Sequence, residues 1–150
     1  MRTIFLLGGI LLFFIPCTVN AQPPVPALLP EKPSLFSGLP EEFQISSQAI
    51  EKIFTGTSTG YIKISLENHG YFEGYVMEKV KRSTTVTTVN IRLTNYDGAL
   101  FTLSKITSPG EKESYVGRII HPHYGDALLA VNIHEKIMMK KEKQSLLLVE

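Results

Sequence analysis

The sequence predicts a mostly β protein: a small antiparallel β-barrel or β-sandwich of about six or seven strands with one short N-terminal helix. Three observations carry this. From Gly60 onward, apolar and polar residues alternate with a period of two. Turn chemistry recurs at short intervals, in Asn68-His69-Gly70, Asn95-Tyr96-Asp97-Gly98 and Ser108-Pro109-Gly110. A helical spacing of apolar residues stands out at one place, Ala49, Ile50, Ile53 and Phe54.

The chain opens on a different kind of segment. Arg2 supplies a positive charge, Ile4 to Ile15 is almost wholly apolar, and Val19-Asn20-Ala21 resembles a signal-peptidase site. The apolar run is about 12 residues, short of the roughly 20 that a spanning helix needs. Residues 1–21 therefore read as a secretory signal peptide cleaved after Ala21. Lipidation at Cys17 is the alternative, and Pro16 stands where that signal wants a small residue. The protein is expected to be secreted or periplasmic, with no transmembrane segment after cleavage.

Residues 22–40 carry Pro23, Pro24, Pro26, Pro30, Pro33 and Pro40. Proline fixes φ and removes a donor, so this stretch reads as an extended tether. The apolar residues Leu28, Leu29, Leu35 and Phe36 suggest that its end lies against the domain. The remaining residues, 41–150, read as a single β-rich domain.

Within that domain Ser46 or Ser47 is placed to cap the helix, and Gly56 to stop it. Ile45 and Ile50 fall in the positions of a hydrophobic staple. Ile62, Ile64 and Leu66 alternate with Lys63, Ser65 and Glu67 in a first strand. Tyr71 to Arg82 makes a long second, and Val89, Ile91 and Leu93 mark a third. Asp97-Gly98 readily supplies the positive φ that a tight hairpin needs. Leu100 to Ile106 and Tyr115 to Ile120 follow, and Asp126 to Ile133 is apolar on both faces, as a covered strand is. Ile137 to Lys141 and Leu146 to Val149 read as a last hairpin, because a Leu-Leu-Leu-Val terminus is too apolar to dangle in water.

Composition narrows the function. The chain has 15 Lys+Arg and 14 Asp+Glu, and removal of Arg2 makes the mature chain formally neutral. Neutrality argues against nucleic acid as a bulk electrostatic partner. The single cysteine, Cys17, leaves with the signal, so a core without disulfides must hold the domain. Nothing in the sequence calls for a cofactor.

Four histidines are present. His121 and His123, with Asp126 close by, make a candidate metal set of imidazoles and a carboxylate. Pro122 between them favours a bend, for which surface turn histidines are the ordinary explanation. No Gly-x-Ser-x-Gly occurs, and Gly56-Thr57-Ser58-Thr59-Gly60 follows a helix, where a phosphate cradle would precede one. Lys79, Lys81 and Arg82 make one basic cluster, and Lys136, Lys140, Lys141 and Lys143 another. Together they would suit an acidic partner, whereas lysines on exposed strand edges also discourage aggregation. Tyr61, Tyr71, Tyr75 and Tyr115 fall on strands, either packing there or lining a binding face.

These features favour a secreted, non-catalytic binding or accessory module recognising a protein or glycan outside the cytoplasm. The alternatives are an inhibitor or pro-domain-like regulator of an exported enzyme, and a small metal-dependent hydrolase using His121, His123 and Asp126. The mature chain is expected to begin at Gln22. Intact mass of the exported protein checks this; retention of residues 1–21, or a lipid on Cys17, would exclude it.

Overall fold

The computed structural model describes residues 31–56, 59–134 and 136–148. Residues 1–21, read as a signal peptide, arm residues 22–30, Thr57 and Ser58 of the loop after the helix, and Val149 lie outside the described residues. The rest forms one antiparallel sheet of eight strands, curled into a half-barrel, with one α-helix. The elements are β1 (Glu42–Ile45), α1 (Ser47–Thr55), β2 (Gly60–Ser65), β3 (Tyr71–Lys81), β4 (Val86–Leu93), β5 (Leu100–Ile106), β6 (Ser114–Ile120), β7 (Asp126–Ile133) and β8 (Lys136–Lys143). A 3₁₀ segment, Gln144–Leu148, follows. Among the described residues no helix is long and apolar enough to cross a membrane.

Strands β2 to β8 run up and down in chain order, and β1 pairs with β8. The count is eight, not six or seven, and the helix does not precede every strand. The extra strand is β1. Its four residues alternate correctly, with Phe43 and Ile45 buried, but they are too few to stand out beside the prolines. Leu146 also departs from expectation. The chain turns after β8, where the Gln144 amide donates to Gly125 O at 2.8 Å, and Leu146 lies 62 % exposed on the 3₁₀ segment instead of pairing in the sheet.

Period-two patterning sends one face of each strand inward. Ile64, Phe72, Val89, Ile91, Phe101, Leu103, Ile119, Leu128 and Met139 are all buried there. The helix adds Ile50, Ile53 and Phe54 to the same core. Ser46 precedes α1 with extended φ and ψ but makes no side-chain cap. The buried pair Ile45 and Ile50 fixes the entry instead, as the staple predicts. Gly56 ends the helix with φ −68°, so left-handed freedom is not its role. A Cβ there would meet Lys52 O at 2.9 Å.

Alternate connections of a meander share an end. Residues 66–70, 94–99 and 121–125 therefore gather at one end of the half-barrel and α1 lies at the other. Asp97 and Gly98 carry φ of 51° and 80°, as the hairpin signal required. The arm enters at the first end. Phe36 is fully buried there, 5.5 Å from the Tyr96 ring, and Tyr96 in turn stands edge-on to Phe72 at 5.1 Å. Burial of Phe36 contributes roughly 1.5–3 kcal/mol. The packed arm thus reaches into residues read as tether from sequence.

Two strand glycines permit the curl. A Cβ on Gly74 would lie 2.1 Å from Arg92 O, and one on Gly117 2.6 Å from Thr102 O. Neighbouring strands approach too closely at both points for any side chain. Gly74→Ala is expected to lower stability by about 1–3 kcal/mol, through forced backbone displacement. Gly38→Ala, where a Cβ meets nothing within 4 Å, should change it by less than about 0.5 kcal/mol. Denaturant midpoints of the two variants compare the sites directly.

Candidate functional site

The proposed metal ligands occupy the arm end, where the Asp126 oxygens and His121 Nδ1 already accept hydrogen bonds. Asp126 opens β7 and is 8 % exposed. Its Oδ1 accepts the Leu35 amide at 2.7 Å, and its Oδ2 accepts the Phe36 amide at 2.8 Å together with the Ser34 hydroxyl. Burial alone would raise the pKa of this carboxyl. The Ser34 hydroxyl and the Leu35 and Phe36 amides outweigh burial and hold it below the ordinary value. Gly125 N donates to Pro33 O at 2.9 Å, and Lys32 Nζ to Pro122 O at 2.7 Å. Asp126 is thus a clamp on the arm.

His121 is buried and His123 exposed. Their rings lie 5.4 Å apart, and His121 Nδ1 accepts the His123 amide at 3.2 Å. That bond leaves Nε2 of His121 to face Asp97 Oδ2, at 3.9 Å, and Tyr124 donates to the same oxygen at 3.1 Å. The Tyr124 ring stands edge-on to His121, 4.9 Å away. Oriented to satisfy its neighbours, the Gln144 amide donates to Tyr124 O at 2.6 Å and to His121 O at 3.1 Å. The cluster ties the 94–99 and 121–125 turns to the 3₁₀ segment that follows β8. Among the described residues no three His, Cys, Asp or Glu side chains converge to hold a metal ion.

The basic clusters do not merge into one patch. Lys79 turns toward the helix, donating to Phe54 O and, at 3.1 Å, to Gly56 O. A cation on the last carbonyls is where the helix dipole favours one. Lys81 and Arg82 remain exposed. On β8, Lys140 lies 4.0 Å from Glu42 and 3.7 Å from Glu142, Lys141 reaches Leu39 O at 2.7 Å, and Lys143 lies 3.4 Å from Glu31. Strands β4 to β7 separate β3 from β8 across the sheet.

Three of the four tyrosines do share a surface. Tyr61 of β2 and Tyr75 of β3 are register partners on the outer face, and Arg92 of β4 is the next partner of Tyr75. The two rings meet at 5.6 Å and 69°. Tyr61 is 55 % exposed, Tyr75 53 % and Met77 54 %. Met77 sits at a register shift between Val76 and Glu78, and such a bulge re-aims a side chain. Tyr71 continues the face, with Lys63 Nζ 3.5 Å from its ring centroid. Tyr61 donates to Glu73 Oε2 at 2.6 Å; this bond, with minor burial and the Glu73 charge, pushes its phenol up to about 12.

Tyr115 belongs elsewhere. It packs 5.7 Å from Phe54 beneath the helix and donates to Glu113 at 3.1 Å. Burial, then that bond, pushes its phenol up to about 12. Met77 and Arg92 were missed from sequence. A methionine one past the inward Val76 gives no sign of a bulge, and an arginine in an alternating strand reads as ordinary solvent-facing charge.

No protein-family profile, curated protein or solved structure matches the chain.

The Asp126 clamp makes stability pH-dependent. Its folded pKa lies below the unfolded value of about 3.9. The stabilisation is therefore complete well above pH 4 and is lost as pH falls through the folded value. Asp126→Asn should lower stability at pH 7 by about 2–3 kcal/mol, since the amide nitrogen opposes donors that the carboxylate accepts. It should also flatten the acid limb. Thermal midpoints from pH 7 to pH 2 check both; parallel curves for the two proteins would contradict the assignment.

Proposed function

We propose that the protein is a non-catalytic binding module working outside the cytoplasm, and that it grips a protein partner on the outer face of β2 and β3. The observation that carries this is the adjacent exposure of Tyr61, Tyr75 and Met77, flanked by Arg92. Tyrosine, methionine and arginine are the residue types enriched where proteins meet, and tyrosine and arginine dominate binding energy there. Methionine adapts to an irregular partner surface.

The alternative ligand class, a glycan, fits this face less well. A sugar ring stacks on a flat aromatic platform, and the 69° angle between the two rings presents one face and one edge. The surrounding charges are mixed. Lys63 opposes Glu73 across the strands, and Asn90 donates to Glu78 at 3.0 Å. Such a rim sets orientation more than affinity. The tyrosines are held before a partner arrives, Tyr61 by Glu73 and Tyr71 by Lys63, so less side-chain entropy is lost on binding.

A photoreactive amino acid at Ser65, within the proposed face, tests this in cells exporting the protein. A single dominant cross-linked protein is expected, with no such product from the same probe at Glu111. Adding Tyr75→Ala and Met77→Ala should reduce that product about tenfold or more, the loss expected for hot-spot side chains. Cross-linking indifferent to both substitutions would reject the face.

A further inference from the structure

The other half of the outer face carries a second feature. The 3₁₀ segment runs beside strands β5 to β7 and leaves a groove of about 500 Å³ between them. That volume is in the range small ligands occupy. Leu146 and Leu147 form one wall. Leu129 and Val116 form the apolar part of the floor, and Arg118, Thr102 and Ser104 the polar part.

Register explains the mixture. Arg118 is partnered by Thr102 on one side and by Leu129 on the other, and Val116 by Ser104. A guanidinium therefore stands at a boundary between hydroxyls and aliphatic side chains. Arg118 is exposed, and among the described residues it has no carboxylate partner. None of the residues lining the groove is acidic. Several other cations are engaged where Arg118 is not: Lys63 lies on Tyr71, Lys79 caps α1 and Lys105 lies 2.5 Å from Glu113, while Lys81 and Arg82 stand exposed as Arg118 does but away from the groove.

The hydroxyls differ in what they offer. Thr102 Oγ1 spends its proton on Asn90 Oδ1 at 2.9 Å. Ser104 Oγ shares a 2.9 Å bond with Thr88 Oγ1 in which either atom can donate. When Thr88 donates, the Ser104 proton is free to turn into the groove. One permanent cation and one available hydroxyl suit a single negative charge. The aliphatic wall and floor suit an alkyl chain, and Leu146, at 62 % exposed, gains most from being covered.

We propose that this groove binds a small amphiphile with a monoanionic head, of the alkyl carboxylate class. The carboxylate takes a charge-assisted pair from Arg118 and the hydroxyl proton of Ser104, and the chain lies over Leu129 and Val116 beneath Leu146 and Leu147. This site is independent of the tyrosine face, which lies on other strands of the sheet.

Titration of the isotope-labelled full chain with decanoate, below its micellar range, tests the proposal by NMR. Shifts are expected at Val116, Arg118, Leu129 and Leu146, with decanol binding about tenfold more weakly. Arg118→Gln should weaken decanoate about tenfold and leave decanol within about twofold. Leu146→Asp should weaken both. Both positions are exposed, so the variants are expected to keep the parent unfolding midpoint, which is measured alongside. Absence of decanoate binding overturns the proposal. So do equal affinity for decanol, shifts confined to other strands, indifference to Arg118→Gln, or shifts that track self-association of the chain.

Discussion

Closure of the half-barrel depends on one seam. An up-and-down sheet of eight strands leaves two edges, here β1 and β2, and exposed edges invite pairing with other chains. The edges meet at a single bridge, Ile45 with Leu66, reinforced by the Glu67 amide donating to Gln44 O at 3.2 Å and by the Gln44 amide donating to Glu67 at 2.9 Å. Beyond Ile45 the chain becomes α1, so the helix stands where a longer β1 would have paired with β2. Its buried side chains fill the space a strand would leave, and Lys79 fastens its far end to β3. Shortening of β1 to four residues, burial of Ile50, Ile53 and Phe54, and the inward turn of Lys79 are consequences of this arrangement.

The opposite end is closed by chain rather than by helix. Residues 31–40 cross the turns, Phe36 fills the core opening, and Asp126 gathers three donors from the crossing segment. A buried carboxylate is tolerable because those donors replace its water. The arm end is thereby fixed to β7 through Asp126 and to β8 through Lys141, which donates to Leu39 O at 2.7 Å. With the interior face packed and both ends occupied, the proposed binding function is left the outer face and its rims.

Much of this was legible in the sequence, and the failures share a cause. Period two identified β2 through β6 because each has enough residues for alternation to show, an apolar run marked β7, and Asp97-Gly98 announced its turn through backbone chemistry alone. The short strand β1 carries only two inward residues, so its existence depends on β8, nearly a hundred positions away. The clamp role of Asp126 was not legible because its partners, Ser34 to Phe36, are equally remote and are backbone amides for the most part. Lys79 read as a surface cation because a bulge two residues earlier changes the face it occupies. The terminal leucines read as a strand from composition, whereas the Gln144 bond to Gly125 decides where they go. Local pattern reports local structure. Each of these residues is governed by a long-range contact.

The same distinction bears on the outer face. Outward positions on an ordinary strand are free to be polar, and most here are. Departures from that freedom are informative, since the core does not require them. Tyr61 and Tyr75 pack on each other outside the barrel, and Met77 stands exposed beside them at the bulge. Exposed aromatic and thioether surface raises the free energy of the isolated protein in water relative to polar substitutes. Glu73 and Lys63 nevertheless hold two of the tyrosines in defined positions, which adds an ordering cost that solvation alone would not favour. A surface that is both apolar and pre-ordered gains on covering twice over, from the area removed from water and from entropy already lost. Arg118 in its aliphatic groove follows the same logic with the sign of charge added.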